Sequence, residues 1–154
     1  MIAILAAGAL SASATSQLAA SLASNGKGSQ TFEGGGLTYG TVSKGTTILV
    51  VNLSTSATDL SVTIKGKPIR YGAGKLYTAR DAKGLAFKVS GSDYRLVIKG
   101  QSRLNGINVW GTAEFKPAYP AAGSYSLNGG AFIPWGKHKV DLGDASSPLT
   151  TTAS

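Results

Sequence analysis

Between residues 46 and 142 apolar residues recur at every second position, in short runs broken by glycine, proline or polar pairs. Successive side chains on a strand point to opposite faces, so a period of two specifies strands and argues against amphipathic helices. Residues 59–65 are the cleanest run: Leu60, Val62 and Ile64 point one way, Ser61, Thr63 and Lys65 the other. Leu85, Phe87 and Val89 share a face, as do Tyr94, Leu96 and Ile98, and Gly91-Ser92 between them predicts a short hairpin. Residues 106–115 offer Ile107, Val109, Ala113 and Phe115 on one face, with Trp110, Asn108 and Thr112 on the other. Residues 46–53 are apolar on both faces, the pattern of a central strand covered on two sides. Further strands are expected over 75–79, 125–127, 131–135 and 137–142. Short strands at this spacing predict an all-β fold, an antiparallel β-sandwich or jelly-roll-like domain.

What precedes that pattern has a different character. Residues 1–26 contain no Asp, Glu, Lys, Arg or His, and the first charge is Lys27. A helix of roughly 24 residues would span about 36 Å, enough to cross a bilayer. Its Ala, Gly and Ser content permits close helix–helix approach. Three readings follow. A secretory signal would use 2–10 as its apolar stretch and Ala12-Ser13-Ala14 as a cleavage site, but no Lys or Arg precedes it. A membrane or filament-core helix would use 1–24. An apolar arm would bury itself against neighbouring subunits of a shell. Ile2 is bulky and disfavours removal of Met1, so the expectation is an unprocessed chain held by an assembly. Ile2, Ile4, Leu5, Leu10, Leu18 and Leu22 are then candidate subunit contacts.

The Gly/Ser-rich residues 25–36 read as a flexible joint or extended arm. The expected organisation is an apolar N-terminal helix or arm over 1–26, a linker and first strand over 27–45, a β domain over 46–142, and an extended Ser/Thr-rich tail over 143–154.

Charge is unevenly distributed. The formal net charge is +8, and residues 65–103 alone supply that excess, with ten cations against Asp81 and Asp93. Such a segment attracts nucleic acid, anionic lipid or an acidic protein surface, whereas the plainer reading is lysines that keep strands soluble. The candidate contacts are Lys65, Lys67, Arg70, Lys75, Arg80, Lys88, Arg95, Lys99 and Arg103. Tyr71, Tyr77, Phe87 and Tyr94 interleave with them, a mix that can stack bases, although Phe87 and Tyr94 fall on the apolar parity of their strands.

No catalytic constellation emerges. The chain has no cysteine, which excludes disulfides and thiolate chemistry. His138 is the one histidine, and Lys137 and Lys139 beside it repel a metal or a proton. The seven carboxylates are scattered, and neither Gly-x-Ser-x-Gly nor a complete phosphate loop is present; Gly72-Ala73-Gly74-Lys75 is followed by Leu76 where Ser or Thr is needed. No cofactor and no metal site are expected.

Trp110 and Trp135, with Tyr119 and Pro134, suggest a subunit-contact or carbohydrate platform. In outline, an apolar lead before a β domain is similar to pilin-like filament subunits and virion shell proteins. The expectation is a non-enzymatic structural subunit of a self-assembling complex. It would be a homo-oligomer through the lead and the β domain, located in a virion with other virion proteins. Nucleic acid would meet 65–103, and a membrane would meet 1–24. The alternatives are a secreted or cell-surface filament subunit and a carbohydrate-binding adhesin module.

Overall fold

A computed structural model describes residues 20–54, 56–65, 69–72, 76–82, 84–136 and 139–144. All regular structure there is strand: β1 (Ala20–Val42), β2 (Thr46–Asn52), β3 (Ser61–Ile64), β4 (Arg70–Gly72), β5 (Leu76–Ala82), β6 (Leu85–Pro117), β7 (Gly123–Leu127), β8 (Ile133–Pro134) and β9 (Lys139–Gly143). They form one antiparallel sheet with the path β4-β5-β2-β6-β1-β7-β8, and β3 and β9 add to β6. The all-β expectation holds. Residues 1–19, where most of the expected helix or arm falls, lie outside the described residues.

The sheet is organised by two unusually long strands. β1 and β6 pair as an antiparallel ribbon from Ala20↔Val109 to Val42↔Leu85. A second ladder joins the same strands, from Gly28↔Pro117 to Val42↔Ser102. Gly28 thus pairs with both Gly100 and Pro117, 17 positions apart. A strand can bond the same partner on both its edges only if the ribbon winds back on itself. The winding sorts the segments into two mutually paired groups. One contains 20–27, 37–42, 85–91 and 101–107, extended by β3 and β7. The other contains 28–35, 93–100 and 110–117, extended by β2 and β9.

This arrangement corrects several expectations. Residues 25–36 are not a flexible joint: they are the middle of β1, hydrogen-bonded on both sides. Ala20–Gly26 are strand rather than helix, and Leu22 is buried in the core. Gly91-Ser92 makes no hairpin; β6 runs on through a bulge, where pairing slips from Gly34↔Tyr94 to Gly36↔Gly91. A bulge inserts one residue and flips every later side chain to the opposite face. The buried parity accordingly changes from Leu85, Phe87 and Val89 to Tyr94, Leu96 and Ile98. It changes again at Asn108, which adopts φ 52°, so Val109, Ala113 and Phe115 are buried while Ile107 is 44% exposed. Residues 46–53 lie centrally between β5 and β6, but only Thr46, Ile48 and Val50 are fully buried, Leu49 and Val51 are half-buried, and Leu53 is exposed.

The core runs as one cluster through both groups, with Phe32, Ile48, Tyr94, Leu96, Ile98, Leu104 and Phe115 at its centre. Phe32 and Tyr94 meet with ring centroids 5.3 Å apart. The Tyr94 hydroxyl lies 2.9 Å from Thr38 Oγ1 and donates within reach of the Gly36 carbonyl at 3.2 Å. Burial pushes this phenol from 10.0 up to about 12, against the opposing pull of the Thr38 hydrogen bonds. Below pH 10 the phenol is protonated whether the chain is folded or not. Between pH 10 and about 12 the unfolded chain releases the proton and the folded chain keeps it, so stability falls as pH rises. Denaturant midpoints measured from pH 9 to pH 12 should show this fall, and Tyr94→Phe should flatten it.

Candidate interaction face

The outward side chains of the two groups differ in charge. In the second group Arg95 and Lys139 have carboxylate neighbours. Arg95 Nε lies 3.3 Å from Glu33 Oε2, both half-exposed, and Lys139 is paired opposite Glu114. An exposed pair of this kind stabilises by less than about 1 kcal/mol. Its consequence here is that the positive charge of Arg95 is locally offset. Lys99 faces Ser29, with Lys116 on that residue's other side.

The first group carries no Asp or Glu on 20–26, 37–42, 61–65, 85–90, 102–107 or 123–127. It does carry Lys27, Lys65, Lys88 and Arg103, all exposed. Register fixes their positions. Tyr39 stands opposite Lys88 on one side and Asn105 on the other. Thr41 stands between Ala86 and Arg103, and the Lys65 amide donates to the Ala86 carbonyl at 3.2 Å. A groove of about 570 Å³ opens here, lined by Leu37, Tyr39, Gly40, Thr41, Ala86, Phe87, Lys88, Arg103 and Asn105. That volume falls in the range of small-ligand sites. Gly40 forms part of its floor. A Cβ there would lie 1.8 Å from the Arg103 carbonyl oxygen and 3.0 Å from Phe87 Cζ, so the close strand approach requires glycine.

The nine basic residues singled out in the sequence therefore do not form one patch. Lys65, Lys88 and Arg103 share the carboxylate-free face. Arg95 and Lys99 belong to the other group, and Arg80 is exposed on β5. Lys67, Lys75 and the side chain of Arg70 lie outside what is described. Tyr39 is 38% exposed and is the aromatic residue of this face. The sequence did not single it out because it follows the glycine-rich joint, within the stretch 27–45 read as linker and first strand. Its alternation with Leu37 and Thr41 was the available signal.

The two tryptophans occupy different environments. Trp135 is buried, stacked on Phe115 at 5.3 Å and 8°, and donates from Nε1 to Ser24 Oγ at 3.1 Å. Trp110 is half-buried and points over Gly35. Tyr119, Phe132 and Ile133 are the exposed large apolar side chains of the 117–135 region. Ile2, Ile4, Leu5, Leu10, Leu18 and His138 lie outside the described residues. Among the described residues, no three His, Asp or Glu side chains are grouped as metal ligands, and no helix is long and apolar enough to cross a membrane.

No family model, no curated protein and no solved structure matches this chain.

Proposed function

We propose that this chain is a non-enzymatic structural subunit of a large self-assembling complex, with a virion as its setting. The observation that carries this reading is how the uncharged lead meets the fold. β1 is already locked at its first residues: Ala20 pairs with Val109, the Ser21 amide donates to Asn128 Oδ1 at 2.9 Å, and the Asn128 amide donates to the Ser21 carbonyl at 2.8 Å. The sheet thus begins at Ala20, seven residues before the first charge at Lys27. The uncharged sequence that leads into it is the part of the chain that would offer apolar surface to a neighbouring copy. The exposed Tyr119, Phe132 and Ile133 give the β domain its own share of such contacts.

The sandwich or jelly-roll-like form belongs to the same proposal, with the two groups of segments facing each other across Phe32, Tyr94 and Leu104. Support comes from the wound ribbon and the shared core. Negative-stain electron microscopy of the purified full chain tests the reading. Closed particles of uniform size are the expected result. Fibres would move the setting to a surface filament, and discrete monomers at high concentration would count against assembly.

A further inference from the structure

We propose that the carboxylate-free face binds single-stranded nucleic acid, with Tyr39 as a stacking surface and Lys65, Lys88 and Arg103 as phosphate contacts. Three observations converge. First, the cations lie on both sides of a groove rather than scattered over a convex surface: Lys88 is on the strand to one side of Tyr39, and Arg103 on the strand to the other. Two strand spacings separate those strands, roughly 10 Å. A single strand lying in the groove would have positive charge along both its flanks. Second, among the described residues no acid on the same face offsets that charge, whereas Arg95 and Lys139 on the other group have Glu33 and Glu114 beside them. The charge here is available to an anion.

Third, an aromatic ring stands between the cations. Any base can stack on Tyr39, which makes such a platform indifferent to sequence. A duplex keeps its bases stacked inside and has no use for the ring, so the single-stranded form fits better. Asn105, paired across from Tyr39, adds a side-chain amide able to donate to or accept from a base edge. An acidic protein would satisfy Lys88 and Arg103 but would leave the stacking surface unexplained.

This inference does not depend on assembly, and its test can fail independently of the proposed function. Filter binding of end-labelled oligo(dT) of about 16 nucleotides, the upper range for one binding module, is measured on the full chain across a salt series. Three phosphate contacts predict a slope of log K against log salt of about −2. The double variant Lys88→Gln/Arg103→Gln should weaken binding at least tenfold and bring the slope to about −0.7. Tyr39→Ala should weaken binding about tenfold while leaving the slope alone, because it removes stacking and not charge. Tyr39→Phe should restore it. Arg95→Gln and Lys139→Gln should change neither quantity. Thermal melts confirm that each exposed substitution leaves the fold intact. The proposal is overturned if oligo(dT) does not bind, or if the Arg95 and Lys139 variants lower the slope as much as the groove variants. It is equally overturned if poly-glutamate competes as well as oligo(dT) and Tyr39→Ala has no effect, which would identify an acidic protein as the occupant.

Discussion

Replacing Gly34 or Gly111 with alanine should abolish folding or cost more than about 4 kcal/mol, the range reserved for severe steric or core defects. The two glycines are paired across the second β1–β6 ladder. A Cβ on Gly34 would stand 1.9 Å from the Trp110 carbonyl oxygen, and one on Gly111 would stand 2.0 Å from the Glu33 carbonyl oxygen. The obstacle in both cases is main chain, which cannot rotate aside as a side-chain tip can. Both also hold positive φ, 152° and 112°. Gly45 separates the two effects: it has φ 82° but nothing within 4 Å of a Cβ, so Gly45→Ala should cost only about 1–2 kcal/mol of backbone strain. Urea denaturation of the three variants checks the ranking. Equal, small losses at all three would mean that the two ladders do not approach as closely as the winding requires.

Trp135→Ala should destabilise by about 3–5 kcal/mol, the usual cost of emptying a large aromatic site. Trp135 closes one end of the core. Its ring stacks on Phe115, which in turn stacks on Tyr125 at 5.2 Å, and its indole nitrogen uses the buried Ser24 hydroxyl. It rests on Gly26 and Gly123, where a Cβ would come within 2.6 Å and 2.5 Å of the indole. That fit ties four stretches together: the first third of β1, the end of β6, the start of β7, and the residues after β8. Trp135→Phe should lose less than Trp135→Ala, because a ring remains to stack on Phe115 while the hydrogen bond to Ser24 and part of the packing on Gly26 and Gly123 are lost. The melting midpoint of the alanine variant should fall by on the order of 10 °C. A fall of one or two degrees would place Trp135 at the surface, where a carbohydrate or subunit platform becomes tenable again.

How far the sequence reveals this fold depends on the length scale of the signal. Strand character was legible from the period of two, and the inward residues of 85–89 and 94–98 follow directly from it. The continuity of β6 was not legible, because Gly91-Ser92 looks the same whether it turns a hairpin or makes a bulge. The difference lies in whether β1 is there to pair across it, which is a long-range fact. The same holds for residues 25–36. Their glycines resemble a linker, yet Gly34 and Gly36 are there because neighbouring strands come too close for a side chain. The stop of the apolar lead at Lys27 was also misleading as a boundary. Ala20, Leu22, Ser24 and Gly26 are inward-facing core positions of β1, so the fold reaches seven residues further back than the first charge. For the interaction face, the surplus of cations was evident, but their partition was set by which segments carry Glu33, Glu114 and Asp141, and register alone decides that.

Light scattering after size exclusion, on the full chain and on a chain beginning at Ala20, tests assembly through the lead most directly. The truncation point matters: beginning at Lys27 would remove four inward-facing positions and confuse unfolding with loss of assembly. The account predicts large, uniform species for the full chain and a folded monomer for the chain beginning at Ala20. Folded monomers from both would contradict it, because the uncharged lead would then have no part in joining one copy to another.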